Sequence, residues 1–148
     1  MTRHFRFLLA AAFFLGGSTQ SFAKDDQWNG PGRAAIKAFV KKRGGLVEDV
    51  SFPIAFYGDF NGDGNEDAVV FIYSPIPGAA SGVDLKVALF KGQGGKCKFM
   101  RYVPNIYGQE PRNVVFSDGK VEVTTSILGD NDAHCCPSHP KKYTIKTK

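Results

Sequence analysis

The most marked hydrophobic pattern in the chain is an unbroken apolar run over residues 68–73. A short run without polar alternation predicts a central β-strand that is covered on both faces. Residues 84–91 behave differently, because Leu85, Val87 and Leu89 alternate with other side chains. This period of two predicts a strand whose apolar side chains point to one face.

Further strands are predicted wherever β-forming residues lie between clusters of Gly, Pro, Asp and Ser. Residues 113–116 and 120–127 flank the tripeptide Ser117-Asp118-Gly119, which is typical of a hairpin turn. Residues 75–82 are rich in Pro, Gly, Ala and Ser, and they predict a loop. The remaining predicted strands are 47–57, which Pro53 interrupts, then 97–103 and 142–146.

One helix is predicted before the strands. It starts at Pro31, with Asn29 or Gly30 near its cap, and it ends at Gly44-Gly45. Ile36, Phe39 and Val40 are spaced three and four residues apart and so form one apolar stripe. One helix followed by antiparallel strands predicts an α+β fold, in which an antiparallel β-meander sheet has one N-terminal helix packed on it.

The N-terminus has the features of an export signal. Arg3 and Arg6 precede an apolar stretch, residues 7–15, that is too short to span a bilayer as a helix. Ser21-Phe22-Ala23 has the pattern of a cleavage site. We therefore predict a signal peptide over 1–23, a single α+β domain over 24–148, and a periplasmic or secreted protein with no membrane span after cleavage.

Charge and size then limit the expected partners. The chain has 148 residues and a formal net charge of +5, and loss of residues 1–23 leaves 17 Lys and Arg against 14 Asp and Glu. Nucleic-acid binding requires clustered basic residues with exposed aromatics, and the sequence does not have this pattern. We expect a monomer whose partner is a protein or another component of the cell envelope, and we expect no nucleic-acid partner.

The segment with the clearest site chemistry is Gly-Asp-Phe-Asn-Gly-Asp-Gly-Asn-Glu-Asp, at residues 58–67. Four side chains stand at positions one, three, five and nine of an EF-hand-type loop, position seven would offer a backbone carbonyl, and Gly64 permits the turn. Such oxygen ligands suit Ca²⁺ better than zinc or copper. The predicted ligands are Asp59, Asn61, Asp63, Asn65 and Asp67.

This segment resembles the Asp-x-Asn-Gly-Asp-Gly-x-x-Asp calcium loops of FG-GAP and VCBS-type repeats, which precede a β-strand. The motif occurs once, so it does not imply a propeller. It departs from an EF-hand at position twelve, where Val70 replaces the bidentate Glu. We therefore expect weak Ca²⁺ binding, with a Kd on the order of 10⁻⁴ to 10⁻³ M. The alternative is a plain hairpin turn capped by its Asp side chains.

Three cysteines follow the predicted cleavage site: Cys97, Cys135 and Cys136. An oxidising compartment favours pairing. Cys97 could bond to either of the other two, or Cys135 could bond to Cys136, and the sequence leaves these pairings open. Residues 129–139 resemble the late Asp-rich loop and Cys-Cys-Pro-Ser/Thr signature of small secreted bacterial proteins that also carry one Asn-Gly-Asp-Gly loop.

Two alternative functions remain beside a non-enzymatic binding module with a structural Ca²⁺. His134, Cys135, Cys136 and His139 are ligand types for zinc or copper, which would make the protein a metal-handling one. A hydrolase could activate water on a Ca²⁺ held by the Asp residues of the loop. Because the sequence pairs no nucleophile with a base, no catalytic residue is predicted.

Overall fold

The computed structural model describes residues 21–22, 32–47, 53–78, 83–133 and 135–148. These residues form two antiparallel sheets and one helix, so the α+β class is confirmed in a mainly β form. The elements are β1 (Ser21–Phe22), α1 (Arg33–Lys42), β2 (Ile54–Gly58), β3 (Asp67–Pro75), β4 (Val83–Gln93), β5 (Lys96–Val103), β6 (Gln109–Ser117), β7 (Lys120–Ile127) and β8 (His139–Lys146).

The prediction of one meander sheet is wrong, because the strands divide into two four-stranded sheets. One has the order β2-β3-β4-β5 and the other β1-β6-β7-β8. The division falls between β5 and β6. There Pro104 has no N–H to donate to a ladder, and Asn105 and Gly108 adopt positive φ angles of 61° and 104°. The chain therefore turns away from the first sheet and starts the second.

Strand β3 is covered on both faces, as predicted from its unbroken apolar run. Every residue from Asp67 to Tyr73 is buried. Val69 and Phe71 belong to the core between the two sheets, whereas Val70 and Ile72 belong to the core beneath the helix. The molecule therefore has three layers, helix, sheet and sheet, and β3 lies in the middle layer.

The core between the sheets is rich in phenylalanine. Phe56 and Phe71 meet edge-to-face at 6.1 Å on the first sheet. Phe116 and Val123 pack against them from the second sheet. Burial of these large side chains is what holds the two sheets face to face.

Helix α1 packs on the outer face of the first sheet. Ile36 and Val40 are buried there, and the ring of Phe39 stacks on Phe99 at 4.6 Å. The predicted end is confirmed, because Gly44 has a φ of 72° and the Gly45 N–H donates to the Val40 carbonyl. The helix begins at Arg33, with Gly32 at its N-cap; residues 29–31, where the start was predicted, lie outside the described residues.

The strand boundaries differ from the predicted ones mainly in the second sheet. The predicted strand 113–116 extends back to Gln109, and 142–146 extends back to His139. Both extensions are polar and gain strand structure by pairing with β7, since His139 is opposite Ile127 and Gln109 is opposite Ser126. Part of the predicted strand 47–57, residues 48–52, lies outside the described residues, and so does part of the predicted loop 75–82, residues 79–82.

Candidate functional site

The acidic loop joins β2 to β3 and is anchored by Phe60. The Phe60 side chain is fully buried in the core between the sheets. Its carbonyl accepts hydrogen bonds from the Gly119 N–H at 2.8 Å and from the Thr147 Oγ1 at 3.3 Å. Gly119 and Thr147 belong to the second sheet's turn and C-terminal end. The loop therefore connects the two sheets as well as two strands.

Three successive side-chain turns shape the exposed part of this loop. The Oδ1 atoms of Asp59, Asn61 and Asp63 each accept the backbone N–H two residues ahead, at 3.1, 2.9 and 2.9 Å. Asp59 also accepts the N–H groups of Gly62 and Gly64, at 2.7 and 2.8 Å. The regular two-residue spacing repeats the same type of side-chain turn three times in succession.

Asp67 points into the protein and fixes the base of the loop. It is fully buried, and its two carboxylate oxygens accept the N–H of Phe60 at 3.1 Å and the N–H of Gly92 at 2.8 Å. A side chain at Gly92 would overlap the Glu66 carbonyl, which explains the glycine. Burial raises the pKa of Asp67, the two hydrogen bonds lower it, and the charges of Asp63 and Asp59 raise it further.

One cation neutralises part of the loop. The Lys91 Nζ lies 3.1 Å from the Asp63 Oδ2. The pKa of Asp63 is lowered to about 2, chiefly by hydrogen bonds from the backbone and side chain of Asn65 and to a smaller extent by Lys91. Asp63 is therefore ionised at any physiological pH and carries a full negative charge into the loop.

The structure gives the predicted ligands different roles. Asp59, Asn61 and Asp63 lie together on the exposed loop, whereas Asp67 binds the backbone of the neighbouring hairpin. Asn65 donates its side-chain amide to Asp63. Within the described ranges, no three His, Cys, Asp or Glu side chains form a group that could hold a metal ion. Ca²⁺ binding would thus depend on amide and backbone oxygens as well as carboxylates.

The C-terminal loop contains a disulfide between the adjacent residues Cys135 and Cys136, so the structure contains the vicinal pairing of the three that the sequence left open. Asp132 organises the same loop by accepting the N–H of Gly129 at 2.8 Å and the N–H and hydroxyl of Ser138, both at 2.7 Å. His134 lies outside the described residues. Because thiolates are the soft ligands of the predicted zinc or copper site, this disulfide disfavours it.

Cys97 takes no part in the disulfide and lies buried beneath the helix layer. Burial is the main cause that raises the pKa of its thiol to about 11, and the charges of Asp67 and Glu66 add to it. Burial likewise raises the pKa of the neighbouring Tyr57 hydroxyl to about 12. Both groups stay protonated at neutral pH, so Cys97 is not prepared as a nucleophile.

Two cavities lie at the end of the sandwich away from the acidic loop, and sequence reasoning did not predict them. They have volumes of about 390 Å³ and 420 Å³, and both are lined by Leu85 and Tyr107. Strand β3 separates the two ends, with Asp67 at the loop end and Tyr73 at the first cavity. The available signal was the pair Tyr102 and Tyr107, but the position of these side chains in space depends on the turn between the two sheets.

No helix in the described part of the chain is long and apolar enough to cross a membrane. Comparisons with protein-family models, curated proteins and solved structures found no match to this chain.

Proposed function

We propose that the protein is an exported, non-enzymatic binding module in which a Ca²⁺ ion stabilises the loop over residues 59–67. The observation that carries this proposal is the set of three equally spaced side-chain turns at Asp59, Asn61 and Asp63. These turns place hard oxygen atoms on alternate residues of one short loop, and the alternate-residue spacing of such oxygens is typical of Ca²⁺ loops.

Charge gives a second reason for a cation. Asp59 and Asp63 are near enough to Asp67 for their charges to raise its pKa. The carboxylates of the loop therefore repel one another. Among the described residues, Lys91 forms the one ion pair of this loop. A divalent ion would offset the remaining repulsion, whereas a plain turn has no need for three carboxylates.

The position of the loop supports a structural role rather than a catalytic one. Phe60 is buried between the sheets and its carbonyl binds the second sheet, so ordering the loop would stabilise the junction of both sheets. A hydrolytic metal needs an open coordination position inside a pocket. The two cavities lie at the other end of β3, about six residues or roughly 20 Å away at 3.4 Å per residue.

Thermal unfolding with Ca²⁺ and with chelator tests the metal. A ligand that binds only the folded state adds about 2.7 kcal/mol at a hundredfold excess over Kd. For a domain of this size, we expect the Tm to rise by on the order of 10 °C. Mg²⁺ should do much less, because it demands a tighter octahedral shell.

Matched variants make this test specific. Asp63→Ala should abolish the Ca²⁺ response without unfolding the metal-free protein, because it also removes a repelling charge. Asp118→Ala removes a carboxylate that pairs with Lys148 outside the loop, at 3.1 Å, and should keep the response. Identical wild-type melting curves in chelator and in Ca²⁺ at a hundredfold excess over the expected Kd would show that the loop is only a turn.

Export is tested separately by N-terminal sequencing of the mature protein, which should begin at Lys24. Cleavage there would remove the two-residue strand Ser21–Phe22, which pairs with Phe116 and Val115, and would leave β6 as a sheet edge. A mature product that retains residues 7–15 would contradict the export proposal.

A further inference from the structure

The two cavities opposite the acidic loop share two lining residues, and we call the surface that the two cavities make together the Tyr107 groove. The first cavity, of about 390 Å³, extends to Leu128 and Pro137, and the second, of about 420 Å³, extends to Tyr102. Leu85 and Tyr107 line both. Each volume falls within the range of small-molecule sites, and the ring of Tyr107 is central in the sense that Tyr107 lines both cavities.

The central ring is exposed, but its residue is held in place. Tyr107 is 60% exposed. Its N–H donates to the Tyr143 hydroxyl at 3.3 Å, its carbonyl accepts from the Thr125 hydroxyl at 2.7 Å, and its own hydroxyl donates to Asn105 at 3.3 Å. An exposed aromatic side chain that is fixed at both ends is a preorganised contact surface, because little conformational entropy is lost when a ligand covers it.

The backbone on either side of Tyr107 adopts uncommon conformations that keep this orientation. Asn105 has a φ of 61° and Gly108 a φ of 104°. A Cβ atom at Gly108 would lie 2.5 Å from the Ser126 carbonyl oxygen, so the chain must approach β7 closely at this point. Backbone conformations of this kind cluster at binding sites, where the surrounding structure maintains them.

Exposed apolar side chains are concentrated around the same groove. The described residues include six large hydrophobic side chains that are exposed, and four of them line the two cavities. These four are Val83, Tyr102, Tyr107 and Leu128. Because contiguous exposed apolar surface is unusual on a soluble protein, its concentration beside a concavity indicates a binding surface.

The polar groups of the groove define which ligand it fits. Asp84 and Lys86 lie 3.6 Å apart and balance each other, so the rim has no net charge. Asp84 and Gln109 present a carboxylate and an amide to the first cavity. The acceptor oxygens of these two side chains match the hydroxyl groups of a ligand, and the balanced charge of the rim suits a neutral one.

We propose that the Tyr107 groove binds a neutral oligosaccharide. One sugar ring would place its apolar C–H face on the Tyr107 ring, and the neighbouring rings would occupy the two cavities. Hydroxyl groups would donate to Asp84 and bind the amide of Gln109. This inference rests on the binding role proposed above and gives that role its ligand class.

Isothermal titration calorimetry of the purified mature protein with cellohexaose, maltohexaose and chitohexaose tests the proposal. Saturable binding of at least one of these chains is expected. Tyr107→Ala should weaken it by about tenfold, since aromatic stacking is lost. Tyr107→Phe keeps the ring and should stay within about twofold of the wild type, because only one hydroxyl contact is removed. Met100→Ala, an exposed apolar residue that lines neither cavity, is the matched control and should bind like the wild type.

Three outcomes would overturn the proposal: no saturable binding of any of the three chains, equal binding by Tyr107→Ala and the wild type, or Tyr107-dependent binding of a proline-rich peptide in their place. The melting response to Ca²⁺ is recorded on the same samples. An intact Ca²⁺ response without sugar binding would contradict only the oligosaccharide proposal. Sugar binding without a Ca²⁺ response would contradict only the Ca²⁺ proposal.

Discussion

The buried carboxylate of Asp67 holds two backbone segments together, and its burial also changes its own pKa. It accepts two backbone N–H groups, one from the loop and one from the β4–β5 hairpin, and it does so next to two other carboxylates. Burial raises its pKa, so the folded chain binds a proton here more tightly than the unfolded chain does. The stability that this residue contributes is therefore present below the ordinary carboxyl pKa and is lost as the pH rises through the raised value.

We accordingly expect a pH-dependent difference between the wild type and Asp67→Asn in chelator. The difference in free energy of unfolding should grow in favour of the wild type as the pH is lowered from neutral toward the ordinary carboxyl range. Urea denaturation at several pH values measures it. Asp63, whose pKa is lowered to about 2, is present in both proteins, so its own titration cancels in this difference. A constant or shrinking difference would contradict the assignment, and Ca²⁺ should abolish the trend.

Lys91 is expected to compete with Ca²⁺ for the carboxylate of Asp63. Its Nζ lies 3.1 Å from an Asp63 oxygen that Ca²⁺ would need. Lys91→Met removes this competing charge and should tighten Ca²⁺ binding by about twofold to fivefold, the range for one exposed ion pair. Calorimetric titration with Ca²⁺ measures it, and Lys42→Met at the exposed end of α1 is the control. An affinity equal to that of the control would show that Lys91 and Ca²⁺ do not share Asp63.

At the residue scale, the sequence could predict which residues form the acidic loop but not which way each side chain points. The spacing of Asp59, Asn61 and Asp63 is local, and three turns of the same kind result from it. Asp67 belongs to the same spacing but turns inward, because Gly92, 25 residues later, presents a buried N–H that needs an acceptor. Such a partner is fixed by the pairing of β3 with β4, which no local pattern contains.

Among the elements, the helix and the strands followed from periodicity, while their division into two sheets did not. The apolar stripe of α1 and the two-sided burial of β3 are direct readings of the hydrophobic pattern. The separation between β5 and β6 depends on Pro104 and on the positive φ angles of Asn105 and Gly108. Non-glycine residues adopt a positive φ only a few per cent of the time, and although Asn does so more often, composition alone does not reveal at which Asn it occurs.

The C-terminal loop provides a prediction at element scale. A bond between adjacent residues closes almost no chain, so it removes little entropy from the unfolded state. We expect reduction to change the Tm by less than about 2 °C, since Asp132 holds the loop through three hydrogen bonds. Alkylation of unreduced, denatured protein followed by mass spectrometry should label Cys97 alone.

Two results would contradict this pairing. Labelling of all three cysteines before reduction would remove the disulfide and revive the metal-handling alternative. Labelling of Cys135 or Cys136 instead of Cys97, with a large loss of stability on reduction, would show that Cys97 pins the C-terminal loop to the first sheet.

At the scale of the whole molecule, Phe60 is the side chain that joins the loop to the core between the sheets. It is fully buried, whereas Phe39 in the helix layer is only partly buried. Phe60→Ala should lower the free energy of unfolding by about 3–5 kcal/mol through lost burial and a cavity. Phe39→Ala removes the same atoms from a less buried position and should lower it by less. Urea denaturation of both variants measures the two free energies of unfolding. Equal losses would contradict the inference that Phe60 contributes more to stability than Phe39 does.

The chain order of the two sheets has a consequence for how the protein folds. Strands β2 to β5 pair with their sequence neighbours, and so do β6 to β8, so most ladders close over short stretches of chain. Pairing of this local kind lowers the contact order, and low contact order accelerates folding. The first sheet, complete by Val103, can form its hairpins before β6 to β8 are in place. The residues after Ile106 then supply β6, β7 and β8 of the second sheet, and docking of Phe60 beneath the β6–β7 turn becomes a late event in folding.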